Sequence, residues 1–493
     1  MNPPENSGGF VHLLLRIVFL LYIIIYDIIY IGFLCRGTMM DIKKNDDIKL
    51  NIEDMTSEGS AVGHYGGIAV FVRGAVTGDE IIVHIIKTSK RYCIGIVKEI
   101  ITPSPSRIES DCPVSDKCGG CAFRNMTYAE ELRYKQSRVE NAIKRIAHLD
   151  VPVKDIIAAD KTDGYRNKAQ YPVKTENGAF TAGFYAYKSH RIIPCSECKL
   201  QPKEFTEILN VFKKWAEKNG ITSYDENTGS GLLRHIYLRK AEKTGELMVC
   251  AVINGESLPD EKFLIDELKK NENVKSVCVN INRADTNVIL SEETKTVWGK
   301  DTITDELLGK RFVISPNSFY QVNRSQCEKL YTVAGEYAAL TGSETVVDLY
   351  CGIGTIGLTL SDKAKRLFGI EIVPQAVENA RLNAKLNEVD NAEYFCGDAF
   401  SGANELEKRG ITPDVIILDP PRKGCQRELL ELIAKMAPKR IVYVSCDSAT
   451  LARDLEILDG LGYKAKEVTP VDMFPRTPHC EAVCQVLRSD MNS

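Results

Sequence analysis

From about Gln326 onward, short apolar runs alternate with helical stretches, and the runs end at Asp348, Glu371, Asp398, Asp419 and Cys446. Runs of that length between turn signals read as buried strands. Strand–helix alternation requires a parallel sheet with helices on its faces, the doubly wound α/β arrangement. Such a sheet does its chemistry in the crevice outside the carboxyl ends of its strands. Five acidic or thiol side chains therefore fall where a ligand would bind.

The first run opens the motif VVDLYCGIGTIGL, Val346 to Leu358. Gly352 and Gly354 allow the backbone to approach a ligand closely. Glu371 closes the next run, RLFGIEI, 23 residues after Asp348. An acidic residue at about that distance is placed to bind ribose hydroxyls. The turn reads D-x-Y-C-G-x-G rather than G-x-G-x-x-G, which favours S-adenosylmethionine over a dinucleotide. Asp419-Pro420-Pro421 adds a stiff loop with a carboxylate at the strand end. The DPPRKG sequence there resembles the strand-four loop of methyltransferases. That loop serves several methylation chemistries and does not name the reaction.

The stretch RIVYVSCDSATLARD, Arg440 to Asp454, is more specific. A β-branched strand ends at Cys446, and a polar helix start follows. Most cysteines are small buried hydrophobes, but a helix N-terminus beside a thiol is expected to favour the thiolate. A thiolate adds to polarised double bonds. Addition at C6 of uracil makes C5 enolate-like, able to attack a sulfonium methyl. Removal of the C5 proton then needs a base. DMFPRTPHCEAV, Asp472 to Val483, offers Glu481 at the start of the last strand, with His479 as an alternative base or an orienting group.

Upstream, the 493-residue chain has room for further domains, and a 44% hydrophobic content supplies more than one core. A net charge of −4 excludes a globally basic nucleic-acid binder and leaves RNA contact to local surface. Residues 1–38 hold an apolar run broken by Arg16 and Asp27, without a basic leader or cleavage site. Those charges are costly at bilayer depth, so the segment is expected to lie outside the functional protein and no membrane association is expected. Residues 41–101 read as a small β-barrel, with runs Ile68–Val72, Glu80–Ile86 and Cys93–Val97 between glycine turns. Lys87, Lys90, Arg91 and Tyr92 could make it a nucleic-acid platform; a purely structural module fits equally. TPSPSR, Thr102 to Arg107, reads as a linker. Residues 107–315 form a mixed α+β region and 316–493 the α/β domain. A helix is expected over Tyr128–His148, its Arg133, Lys135, Arg138, Lys144 and Arg145 reading as a solvated face.

Sixteen cysteines in a long chain with nucleotide-fold motifs point to a reducing cytoplasm rather than a disulfide framework. Cys112, Cys118 and Cys121 are tightly spaced and read as metal or iron–sulfur ligands. A fourth thiolate would come from Cys195 or Cys198, and zinc suits four thiolates equally well.

Together SCDSATLARD, DMFPRTPHCEAV, DPPRKG, DLYCGIGTIGL and SPNSFYQVN (Ser315–Asn323) resemble the RNA uracil-5-methyltransferase family, nearest its 23S ribosomal RNA branch. The resemblance covers the chain from about residue 49. It implies Cys446 as nucleophile, Glu481 as base, and cofactor contacts from Gln321, Tyr350, Glu371, Asp398 and Asp419. Ser448 and Arg476 depart from the family pattern, where Pro and His are common. The resemblance further implies a [4Fe–4S] cluster on Cys112, Cys118, Cys121 and Cys198. It makes the β-barrel a TRAM-type RNA-binding module and makes Arg166 and Lys168, in GYRNKAQYPV, phosphate contacts. It implies a monomer acting on 23S rRNA, with no protein partner. The family also contains enzymes for the tRNA T-loop, and a non-catalytic RNA-binding protein could keep the same fold.

Overall fold

The computed structural model describes residues 42–491. They fall in two compact units, one ending at Arg107 and the other beginning at Ile108. The extension over residues 1–38 lies outside the described residues.

The first unit is one sheet of strands β1 (Asp47–Asn51), β2 (Asp54–Met55), β3 (Ala61–Tyr65), β4 (Ile68–Arg73), β5 (Glu80–Thr88) and β6 (Tyr92–Thr102). Its strand order is β1-β5-β6-β4-β3-β2. Alternate residues such as Ile81, Val83 and Ile85 are buried, the period-two pattern of a half-solvated strand. The sheet curls until β3 meets β1. A Cβ on Gly63 would stand 2.1 Å from the Asn51 carbonyl, so only a bare backbone permits this barrel-like closure.

The second unit begins with helix α1 (Tyr128–Arg145), whose N-cap Thr127 accepts from Glu130 N. One position on its expected solvated face is corrected: Lys135 is fully buried, where it pairs with two buried carboxylates. A mixed sheet follows, built from β7 (Lys168–Glu176), β8 (Ala179–Tyr185), β9 (Ile192–Pro194), β10 (Leu233–Lys240), β11 (Leu247–Ile253), β12 (Val274–Ile281) and β13 (Thr294–Gly299). Helices α2 (Lys203–Asn219) and α3 (Glu261–Leu268) cover it. The buried stripe Phe205, Ile208, Phe212 and Trp215 of α2 packs on this sheet at helical spacing. The hairpin β14 (Ile303–Leu307) and β15 (Lys310–Ile314) comes next.

The α/β domain runs α4 (Arg324–Ala338), β16 (Thr345–Leu349), α5 (Thr355–Leu360), β17 (Arg366–Glu371), α6 (Pro374–Leu386) and β18 (Ala392–Cys396). It continues with α7 (Ala399–Lys408), β19 (Val415–Leu418), α8 (Arg427–Met436), β20 (Arg440–Ser445), α9 (Ser448–Gly460), β21 (Tyr463–Val471) and β22 (Glu481–Arg488). The sheet order is β18-β17-β16-β19-β20-β22-β21. Strands β16 to β20 are parallel, while β22 runs antiparallel between β20 and β21. The order reverses between β16 and β19, which opens a crevice at their carboxyl ends. This is the doubly wound, Rossmann-like α/β arrangement read from the strand–helix alternation.

Candidate active site

The antiparallel insertion of β22 creates the central juxtaposition. Ser445 pairs with Ala482, the last pair of the β20–β22 ladder at that end. One register step further, Cys446 and Glu481 leave neighbouring strands side by side. In a parallel sheet, the residue 35 positions after Cys446 would have entered from the opposite edge.

Their electrostatics are coupled. Glu481 is 4% exposed. Burial, with the Asp419 carboxylate adding to it, pushes its pKa up to about 8, while Arg422 opposes the rise. Burial alone pushes Asp419 up to about 7. The Cys446 thiol is pushed up to about 12, first by burial and then by Glu481 and Asp419, again against Arg422. The expected helix-start thiolate is therefore not the resting state: desolvation and two carboxylates outweigh the helix N-terminus. His479 is held down to about 4 by burial and by the cations Arg422, Arg138, Lys135 and Arg166. Its Nε2 lies 3.4 Å from Arg422 Nη2, so it accepts there as a neutral ring.

The glycine turn presents a cradle. Gly352 and Gly354 have φ of 57° and 84°. A Cβ on Gly352 would meet nothing within 4 Å, while one on Gly354 would press on Tyr394 Oη at 2.9 Å. Tyr350 is itself left-handed at φ 70°, an uncommon conformation for a non-glycine residue. Glu371 accepts from Gly352 N at 3.1 Å and from Val373 N at 2.8 Å, which fixes its carboxylate at the strand end. Asp398 caps α7 and accepts from Ser401 N at 3.0 Å; hydrogen bonds from the Ser401 side chain and then its backbone lower its pKa. Ile372, Val373 and Phe400 stand exposed beside these two acids. Open backbone, a fixed carboxylate and uncovered apolar side chains suit a nucleoside-bearing cofactor such as S-adenosylmethionine. Gln321 is buried, and its carbonyl accepts from Asn167 Nδ2 at 2.9 Å. That bond ties the SPNSFYQVN loop to the strand carrying Lys168. Burial and the nearby Arg239 and Arg166 lower Lys168 to about 8.

Cys112, Cys118, Cys121, Cys195 and Cys198 line one cavity of about 60 Å³, with Arg124 on its wall. Arg124 pairs with Asp163 at 2.6 Å and Asp111 at 3.2 Å. Among the described residues, no three His, Cys, Asp or Glu side chains are drawn together as around a metal ion. The thiols share a cavity without converging on a point.

Sequence reasoning assigned no role to Arg422, Lys135, Glu131 or Asp472. Arg422 lay within a quoted motif, and its charge effect needed the fold. Glu131 and Lys135 carry a legible signal, an acid–base pair four residues apart on a helix. The pair looked like surface because Asp472, the second carboxylate on Lys135, lies 337 residues beyond it.

The family model for tRNA (uracil-5-)-methyltransferase matches residues 127–489. An uncharacterized RNA methyltransferase of Clostridium tetani is 45% identical over 90% of this chain and 96% of its own length. One from Listeria monocytogenes is 46% identical over 90% and 98%, respectively. Among solved structures, the Pyrococcus abyssi tRNA (uracil-54, C5)-methyltransferase in complex with S-adenosyl-L-homocysteine superposes with a TM-score of 0.73 at 29% identity. It covers 89% of this chain and 99% of that one. This protein therefore belongs to the tRNA (uracil-5-)-methyltransferase family and is an S-adenosylmethionine-dependent RNA methyltransferase.

Proposed function

We propose that the protein makes 5-methyluridine in 23S rRNA, with Cys446 as nucleophile and Glu481 as base. The observation that carries the chemistry is the pairing that brings Cys446 and Glu481 to the same end of adjacent strands. S-Adenosylmethionine supplies an electrophilic methyl group when bound. Glu371 would hold its ribose, Gly352 and Tyr350 would line its approach, and Asp398, Asp419 and Gln321 would complete the contacts. A uridine flipped from its stack presents C6 to Cys446. The thiol, held high in the resting site, gives its proton to solvent, and Arg422 stabilises the sulfur charge until the sulfur bonds to C6 and the C5–C6 double-bond electrons move into the C5–C4–O enolate. Once C5 would have taken the methyl, with S-adenosyl-L-homocysteine as the leaving group, the Glu481 carboxylate removes the C5 proton. The electrons of that C–H bond form the C5–C6 double bond, and the bond from C6 to the Cys446 sulfur breaks.

The rRNA assignment rests on resemblance to the 23S branch, with its barrel and cysteine segment. Lys87 is exposed on β5 and Lys90 and Arg91 in the turn that leads to β6, beside Tyr92; these would contact RNA, as would Arg166 and Lys168. Cys112, Cys118, Cys121 and Cys198 would hold a [4Fe–4S] cluster. Four thiols around one cavity suit soft iron chemistry. A second reading, methylation of tRNA, is favoured by the Pyrococcus abyssi structure. A protein named for tRNA shares most of this architecture, so the architecture alone does not separate the substrates.

Incubation with labelled cofactor and, separately, unmodified rRNA and tRNA tests this reading. Label at uracil C5 in 23S rRNA is the expected result. Label in tRNA alone moves the substrate, and label in neither removes the reading.

A further inference from the structure

The segment from Asp472 to Cys480 joins β21 to β22 and delivers Glu481 to the site, yet it contains no regular structure. Side chains from elsewhere in the chain hold it almost residue by residue. Lys135 Nζ donates to Asp472 Oδ1 at 2.6 Å and to Phe474 O at 3.2 Å. Tyr128 Oη donates to Asp472 Oδ2 at 2.7 Å, and Tyr165 Oη to Pro475 O at 2.8 Å. Arg476 N donates to Glu131 Oε1 at 2.7 Å. Tyr128, Glu131 and Lys135 all belong to α1.

A fourth α1 residue does something more. Arg138 Nη1 donates to Pro478 O at 2.9 Å, three residues before the proposed base. Its Nη2 lies 3.7 Å from Asp447 Oδ2, an ion-pair separation. Asp447 directly follows Cys446, and its other carboxylate oxygen caps α9 by accepting from Ala449 N and Thr450 N, each at 3.0 Å. One guanidinium thus spans the segment carrying the base and the cap behind the nucleophile. A planar fork serves two such acceptors at once; an ammonium is a single point charge.

We infer that Arg138 is a positioning residue, holding the Glu481 loop in register with the Cys446 helix so that the base meets the C5 proton. This rests on the Cys446–Glu481 reading above. The Asp447 side chain is 30% exposed, so replacing Arg138 leaves no fully buried charge behind. Misplacement by about 1 Å can cost on the order of 100-fold in rate. The step most sensitive to Glu481 placement is release of the methylated RNA from Cys446.

The experiment uses the full-length protein with its methylatable RNA and labelled cofactor, and it compares wild type, Glu481→Gln, Arg138→Gln and Arg138→Lys. Denaturing gels follow the covalent RNA–protein species, and steady-state assays separate kcat from KM for RNA. For Arg138→Gln, kcat is expected to fall about tenfold to 100-fold, with KM for RNA unchanged and a labelled adduct accumulating. Arg138→Lys should behave like Arg138→Gln. A raised KM with normal kcat and no adduct would make Arg138 an RNA contact and overturn the inference. Wild-type behaviour of Arg138→Lys would overturn the fork argument by showing that charge alone suffices. Failure of Glu481→Gln to accumulate adduct while wild type methylates RNA would sink the underlying reading instead, which keeps the two failures distinct.

Discussion

The Lys135 ammonium lies 2.6 Å from Asp472 Oδ1, with both side chains fully buried. The same ammonium donates to Glu131 at 2.7 Å, so one cation serves two acids inside the protein. Removing it leaves two buried carboxylates, with Arg476 3.8 Å from Glu131 as the remaining cation. Lys135→Met should therefore destabilise the fold by about 3–5 kcal/mol, the range for breaking a buried pair from one side. Urea unfolding of this variant against wild type measures the loss. A change below 1 kcal/mol, of the size seen for surface pairs, would refute the buried-pair account.

Cys446→Ala should abolish methylation, because the thiol that adds to C6 is gone and Cys480, the neighbour of Glu481, is buried with its Sγ on the Val471 and Glu481 carbonyls. Glu481→Gln should slow turnover by roughly 10²–10⁴-fold, the usual worth of a positioned base. It should also trap RNA on Cys446 as a species stable to denaturant. Normal activity in Cys446→Ala would remove the covalent route.

The Glu481 carboxyl, pushed up to about 8, carries a proton over most of the neutral range. A base must be deprotonated, so the rate of adduct release should climb with pH and level off above about 8. The stability effect has the opposite sense. Between the ordinary value of 4.5 and about 8, the folded state binds a proton that the unfolded state has released. Stability contributed by this group therefore falls as pH rises through that window. Glu481→Gln should match wild type near pH 4 and be more stable by about 2–4 kcal/mol above pH 8. Thermal melts of the two proteins across this range supply the comparison, and a wild type more stable than the variant at pH 9 would contradict the burial argument.

Glu371 holds Gly352 and Val373 through their backbone N–H groups and is proposed to bind the cofactor ribose. Glu371→Ala should weaken S-adenosylmethionine binding by about 10- to 100-fold, as expected for losing one or two charge-assisted bonds. Calorimetric titration with S-adenosyl-L-homocysteine reads this without turnover; unchanged affinity would place the ribose elsewhere.

Anaerobically purified protein should contain iron and acid-labile sulfide in about a 4:4 ratio, as a [4Fe–4S] cluster requires. Cys112→Ser or Cys198→Ser should lose both. Stoichiometric zinc without sulfide would replace the cluster with a zinc site.

Much of this was legible before any coordinates. The five strand ends of the α/β domain, the glycine turn and the C-terminal base loop follow from local signals. A buried strand needs a continuous apolar run, and a tight turn near a ligand needs glycine. Strand β11 of the mixed sheet is a continuous apolar run, and β12 is mostly apolar, for the same reason. Strands β1, β2 and β3 were not read; β2 is only two residues long, too short for any periodicity to show.

What the amino-acid sequence determined by itself was the set of parts: the α/β class, a thiol at one strand end, an acid at the start of the last strand, and a cysteine-rich segment. What only the tertiary structure decided was how those parts meet. The antiparallel entry of β22 sets Glu481 beside Cys446, and burial next to Asp419 moves both their pKa values upward. Lys135 and Arg138 changed from a charged helix surface into groups that hold the base loop, because their partners lie more than 300 residues away. Periodicity and local motifs report on neighbours along the chain. Desolvation and charge coupling depend on distances across it, and those exist only once the sheet has formed.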